Sequence, residues 1–120
     1  MDVEFSVLVG QTLVSVEKIT DDQILFKTTD GKTYRMFHLQ DCCESVTIED
    51  INGDLNDLVD SKILKAEESS NRGEVEHGDY CTWTFYHIRT MKGTVVIRWY
   101  GTSNGYYSEH ADFEEIDYGN

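Results

Sequence analysis

The chain has 120 residues, 23 Asp and Glu against 10 Lys and Arg, a formal net charge of −13, and 39% hydrophobic residues. That length fits one domain, residues 1–120, and the apolar content is too high for a disordered chain. The charge repels a phosphate backbone, and no apolar run approaches the ~20 residues that cross a bilayer, so neither direct nucleic-acid binding nor a membrane role is expected.

The opening Met1-Asp2-Val3-Glu4-Phe5 lacks the basic start of a secretory signal, which predicts a protein that stays where it is made. Val3 to Val9 is expected to form a short helix over one face of a sheet. Thr12 to Ile19 reads as a Val-rich strand, and Thr20-Asp21-Asp22 turns it into a second strand from Gln23 to Thr28. Asp30-Gly31 suits a hairpin whose central residues accept positive φ, leading to a third strand from Lys32 to Leu39. Glu44 to Ile51 alternates Val46 and Ile48 with Thr47 and Glu49, as a half-buried strand does.

Asn52-Gly53-Asp54 is a turn able to cap a short helix from Leu55 to about Val59. It also resembles the start of a calcium loop, but Leu55 stands where that loop needs glycine and Ser61 where it needs a bidentate acid. Ser61 to Glu68 fits either period and is taken as a strand. Ser69 to Gly78, polar with two glycines, reads as an exposed, mobile loop. Tyr80 to Thr90 and Thr94 to Tyr100 flank Met91-Lys92-Gly93 in a hairpin. Trp83, Phe85 and His87 share one face of its first arm, and Thr82, Thr84, Tyr86 and Ile88 the other. Large groups on both faces predict a central position in the sheet. The expected fold is mainly β, or α+β with little helix: an antiparallel meander or twisted sheet of about six to seven strands.

Three cysteines give an odd count. Cys42 and Cys43 on a strand point to opposite faces and are not expected to pair, so reduced thiols and no metal are predicted. His38, Asp41 and Glu44 lie beside them, but zinc sites draw on paired ligands at recognised spacings, and no second pair appears. No nucleophile or phosphate-loop signature is present either, so the protein is not read as an enzyme and no cofactor is expected.

Acidity is uneven. No Lys or Arg falls between Arg35 and Lys62, or after Arg98. Such fields favour cationic partners. The segment Arg98-Trp99-Tyr100-Gly101-Thr102-Ser103-Asn104-Gly105-Tyr106-Tyr107 is different, joining a cation, flat rings, hydroxyls and an amide around two glycines. That mix suits a nucleotide: rings stack, Arg98 meets a phosphate, and Asn104 reads a polar edge. Arg98, Trp99, Tyr100, Ser103, Asn104, Tyr106 and Tyr107 are therefore the candidate ligand-binding residues, with Arg35 and Arg89 as further cations. A turn at Ser103-Asn104-Gly105 with aromatics in the core remains the alternative.

His38-Leu39-Gln40-Asp41-Cys42-Cys43-Glu44-Ser45-Val46, Trp83-Thr84-Phe85-Tyr86 and Arg98-Trp99-Tyr100-Gly101-Thr102-Ser103-Asn104-Gly105-Tyr106-Tyr107 together resemble a small uncharacterised family of tailed-bacteriophage accessory proteins. The resemblance implies a protein working in the cytoplasm of a bacterial host, and it transfers no residue roles. Two expectations follow for an anti-defence protein. One is sequestration of a nucleotide-derived immune signal, a cyclic oligonucleotide or ADP-ribose derivative, in a pocket that a homo-oligomer would complete. The other is an acidic DNA mimic that inhibits a basic host defence nuclease, as anti-CRISPR and anti-restriction proteins do.

Overall fold

Eight strands carry the fold in the computed structural model, which describes residues 1–74 and 79–116. They are β1 (Leu13–Thr20), β2 (Gln23–Thr28), β3 (Thr33–Phe37), β4 (Ser45–Asn52), β5 (Lys65–Glu74), β6 (Tyr80–Thr90), β7 (Gly93–Ser103) and β8 (Asp112–Ile116). Two 3₁₀ turns, Phe5–Leu8 and Leu55–Leu58, complete the regular structure. The protein is mainly β, and the strands divide between two antiparallel four-stranded sheets rather than one twisted sheet. The first runs β1-β2-β3-β8 and the second β4-β7-β6-β5.

Alternation explains why two layers form. In β2, Ile24 and Phe26 are fully buried while Gln23, Leu25 and Lys27 face outward. Their partners Met36 and Tyr34 are also fully buried, and Met36 in turn pairs with Phe113 of β8. In the second sheet Val46, Tyr86, Ile88, Val95, Ile97 and Trp99 supply the opposite inner face, all without solvent exposure. Each such side chain contributes about 1.5–3 kcal/mol when taken from water. The layers meet where the Trp99 Nε1–H donates to Met36 Sδ at 3.1 Å. Phe5, in the first 3₁₀ turn, sets its ring edge-on to Tyr86 of one sheet (4.8 Å) and Phe113 of the other (5.1 Å). The expected N-terminal cover is thus one 3₁₀ turn that plugs the sandwich.

β6 and β7 occupy the centre of the second sheet, as their two-sided bulk predicts. Asp54 caps the second 3₁₀ turn by accepting the Asn56 N–H at 2.9 Å. Before it, Gly53 has φ of 111°, and a Cβ there would lie 2.6 Å from the Thr94 carbonyl oxygen.

Two expectations need correction. Ser69 to Glu74 is not loop: it continues β5, pairing from Ser69↔Phe85 to Glu74↔Tyr80. The long neighbouring strand β6 supplies backbone partners that a polar composition does not reveal; residues 75–78 of that stretch lie outside the described residues. The acidic end of the chain, to which no element was assigned, carries β8, which returns to the first sheet beside β3. Finally, Cys42 and Cys43 are joined in a disulfide. They sit in a bend between β3 and β4 and not on a strand, so alternation does not separate them.

Candidate functional site

β7 distributes the aromatic and polar residues singled out in the sequence over three environments. Arg98 and Tyr100 face outward from the second sheet. The Arg98 guanidinium bonds Glu49 on the neighbouring strand at 2.6 Å, and the Tyr100 ring lies 5.0 Å from Trp83. Trp99, one position along, points the other way and is fully buried. Ser103 is buried, with its hydroxyl donating to Glu109 at 2.6 Å. Asn104 accepts the Tyr106 N–H at 3.1 Å in a turn, Tyr106 is almost wholly exposed, and Tyr107 lines a small hollow. Tyr100 and Arg98 thus share a face, whereas Trp99 and Ser103 belong to the interior. The other arginines do not converge on them. Arg35 bonds Glu114 at 2.5 Å and covers the Phe37 ring at 3.9 Å, both in the first sheet. Arg89 lies at the far end of the β6–β7 ladder, opposite Thr94.

A different cation stands near the Ser103–Tyr107 loop. Arg72 of β5 lies over the Tyr80 ring at 4.6 Å and 4.0 Å from a Glu109 oxygen. Glu109 itself is buried, held by the Thr82 hydroxyl at 2.8 Å as well as by Ser103. The hollow here measures about 180 Å³ and is lined by Arg72, Thr82, Gly105 and Tyr107, among others. It combines one guanidinium, two rings nearby and hydroxyls, on a scale smaller than a nucleotide pocket of ~300 Å³ or more.

The larger hollow, about 470 Å³, lies between the first 3₁₀ turn and the start of β5. Glu4, Phe5, Ser6, Ala66, Glu67 and Glu68 line it, so three carboxylates stand beside two nearly buried apolar residues. Nearby, Asp2 bridges Glu114, and Asp112 opens β8. Burial holds the Glu68 carboxyl above the usual carboxylate range; Glu4 adds to the rise, while His110 opposes it. Burial likewise raises Asp112, with Asp2 and Glu114 adding to it against His38 and His110. Burial apart, Glu4 and Glu68 lie close enough here to raise the Glu68 carboxyl further, while Lys65 pairs with Glu67 at 3.4 Å. Sequence reasoning missed this groove because its acids come from the N-terminus and from β5, some sixty residues apart. Their only shared signal was the overall charge.

A pH dependence follows. A carboxyl raised in the folded state holds its proton where the unfolded chain has lost it, so stability rises as pH falls from neutral through the raised value toward the ordinary range. Glu68 and Asp112 act in that direction. Asp30, lowered mainly by the Thr28 hydroxyl, acts oppositely, but only as pH drops below the ordinary carboxylate range. The melting temperature is therefore expected to be higher near pH 5 than near pH 7.5, with the gain reduced in Glu68→Gln. A melting temperature that falls steadily over this interval contradicts the assignment.

A family model described as a domain of unknown function, DUF7448, matches residues 6–113. The chain belongs to the DUF7448 family. The matched stretch includes both sheets except the last residues of β8, so the DUF7448 domain and the sandwich coincide. No curated protein matches the chain, and no solved structure does. Among the described residues of this DUF7448 protein, no helix is long and apolar enough to cross a membrane.

Proposed function

We propose that this protein is an acidic binding protein that docks a basic surface of a partner protein through the groove between the first 3₁₀ turn and β5. The observation that carries this reading is the closeness of Glu4 and Glu68 in a hollow that Glu67 also lines, with Glu68 raised by burial and further by Glu4 against His110. A lysine or arginine entering the groove relieves that repulsion and pairs with Glu68, which supplies the attraction. The net charge of −13 steers a cationic partner toward it. The sequence resemblance to phage accessory proteins supports a host defence nuclease as the partner, inhibited by carboxylates standing in for DNA phosphates.

Nucleotide sequestration is the second reading, favoured by one observation: Arg72 stacked over Tyr80 beside the hollow that Tyr107 lines. The Arg98 anchor expected for it is engaged by Glu49. Binding to purified basic bacterial nucleases, measured at rising salt, and calorimetry with cyclic dinucleotides, cyclic trinucleotides and ADP-ribose isomers separate the two. Nuclease binding that weakens with salt, and at least about tenfold in Glu4→Lys/Glu68→Lys, is the expected result. Tight nucleotide binding lost in Arg72→Ala, with nuclease binding absent, reverses the order of the readings.

A further inference from the structure

The bend carrying Cys42 and Cys43 is tied down on both sides. Gln40 spans it with its side-chain amide, donating to the Val46 carbonyl at 2.7 Å and accepting the Val46 N–H at 3.3 Å. Glu44 closes it from within, its Oε1 accepting the N–H groups of Asp41 (2.8 Å) and Cys42 (3.2 Å). Its other carboxylate oxygen lies 3.6 Å from His38 Nε2. His38 is buried, bonded through Nδ1 to the His110 carbonyl at 3.0 Å, while its Nε2 has no hydrogen-bond partner. The cysteines themselves are exposed, and their sulfurs are joined. Cys81, by contrast, is a buried free thiol.

A structural disulfide links distant parts of a chain and limits the unfolded ensemble by closing a long loop. This one joins neighbours and closes no such loop. Both residues are exposed, so an attacking thiolate or disulfide has access to the pair. Exposure and adjacency describe an accessible pair rather than a staple. Asp41 and Glu44 flank it within a chain of net charge −13, a field that repels anionic reagents and attracts cationic ones.

We propose that Cys42 and Cys43 form a reversible thiol–disulfide exchange site that reacts preferentially with cationic disulfides. From the dithiol, one cysteine sulfur attacks a disulfide R–S–S–R; that S–S bond breaks, and the first RS⁻ leaves and takes up the proton lost by the cysteine. The second cysteine then attacks the mixed disulfide, the Cys42–Cys43 bond forms, and the second RS⁻ leaves with the second proton. The pair loses two electrons, and R–S–S–R is reduced to two thiols. Reduction by a dithiol runs the same steps backwards. The ring formed contains the Cys42–Cys43 peptide bond, so its state reaches the Cys42 N–H that Glu44 holds.

The test uses the whole reduced protein with cystamine as the cationic disulfide and oxidised glutathione as the anionic one, followed by intact mass and peptide mapping. The expected result is loss of two hydrogens in the peptide holding Cys42 and Cys43, with no retained adduct and Cys81 unmodified. Cystamine should react about tenfold faster at low salt, the gap closing as salt screens the field. Cys43→Ser should stop at one persistent cystamine adduct on Cys42. Two persistent adducts on the folded wild-type protein overturn the paired mechanism. So does a folded protein that stays inert while its unfolded form reacts. Equal rates with both disulfides overturn the charge preference. The wild-type mapping stands whether or not Cys43→Ser folds.

Discussion

Trp99→Ala is expected to lower the free energy of unfolding by about 3–5 kcal/mol, the range for removing a large buried aromatic. The indole is fully buried between the sheets, opposite Ile48 on β4 and Thr84 on β6, and it donates to Met36 Sδ. Alanine leaves a void at the point where the two layers touch, and central strands of both sheets must move to fill it. Relaxation is limited because β7 is paired on both sides. Urea denaturation measures the loss, and fluorescence checks the environment, since the only other tryptophan, Trp83, is partly exposed. The variant should therefore emit at longer wavelength than the wild type. A loss below about 1 kcal/mol, less than any large-to-small core change of this kind, means that the indole is not packed as described. It also returns Trp99 to the candidates for stacking a ligand.

Gly101→Ala is expected to be nearly as damaging, through crowding rather than loss of volume. A Cβ on Gly101 would lie 2.3 Å from the Glu109 carbonyl oxygen and 2.9 Å from its carbonyl carbon. Those are backbone atoms, so no side-chain rotation relieves the clash, and the Ser103–Glu109 loop must lift from β7. Overpacking of this kind costs about 1–3 kcal/mol. Lifting the loop also draws the buried Glu109 carboxylate from the Thr82 and Ser103 hydroxyls. Each buried group left unpaired adds about 1–3 kcal/mol, more for a charge. Chemical denaturation of Gly101→Ala and of Glu109→Ala tests this. The expected pattern is that both are destabilised and that the double variant loses much less than the sum, because one displacement underlies both. Full additivity would separate Gly101 from the loop.

Strand identities were largely legible, because local alternation carries them. Ile24 and Phe26, Val46 and Ile48, and Tyr86 and Ile88 each mark an inward face with a period of two, and each faces the core as that period requires. The Asp54 cap and the β6–β7 hairpin were legible for the same reason, since both are set by contacts within a few residues. β5 beyond Glu68 was not: Ser69-Ser70-Asn71-Arg72-Gly73 has no strand pattern and is extended only because β6 supplies a ladder. β8 was hidden in an acidic run, with Phe113 as its one fully inward apolar residue.

The candidate site was less legible. A run of residues along the sequence was read as one surface, yet a strand sends neighbours to opposite faces, so Arg98 and Trp99 part company by a single step. The same alternation, applied to Cys42 and Cys43, failed in the other direction because no strand exists there.

Composition and short-range pattern alone determined an acidic, mainly β chain with a two-sided central hairpin. Charge and periodicity are properties of the chain itself, and no tertiary contact alters them. Only the tertiary structure decided that the strands form two layers, that Glu4 and Glu68 share a groove, and that Arg98 is engaged by Glu49. Those facts depend on pairings between residues tens of positions apart, whose partners a local pattern does not encode.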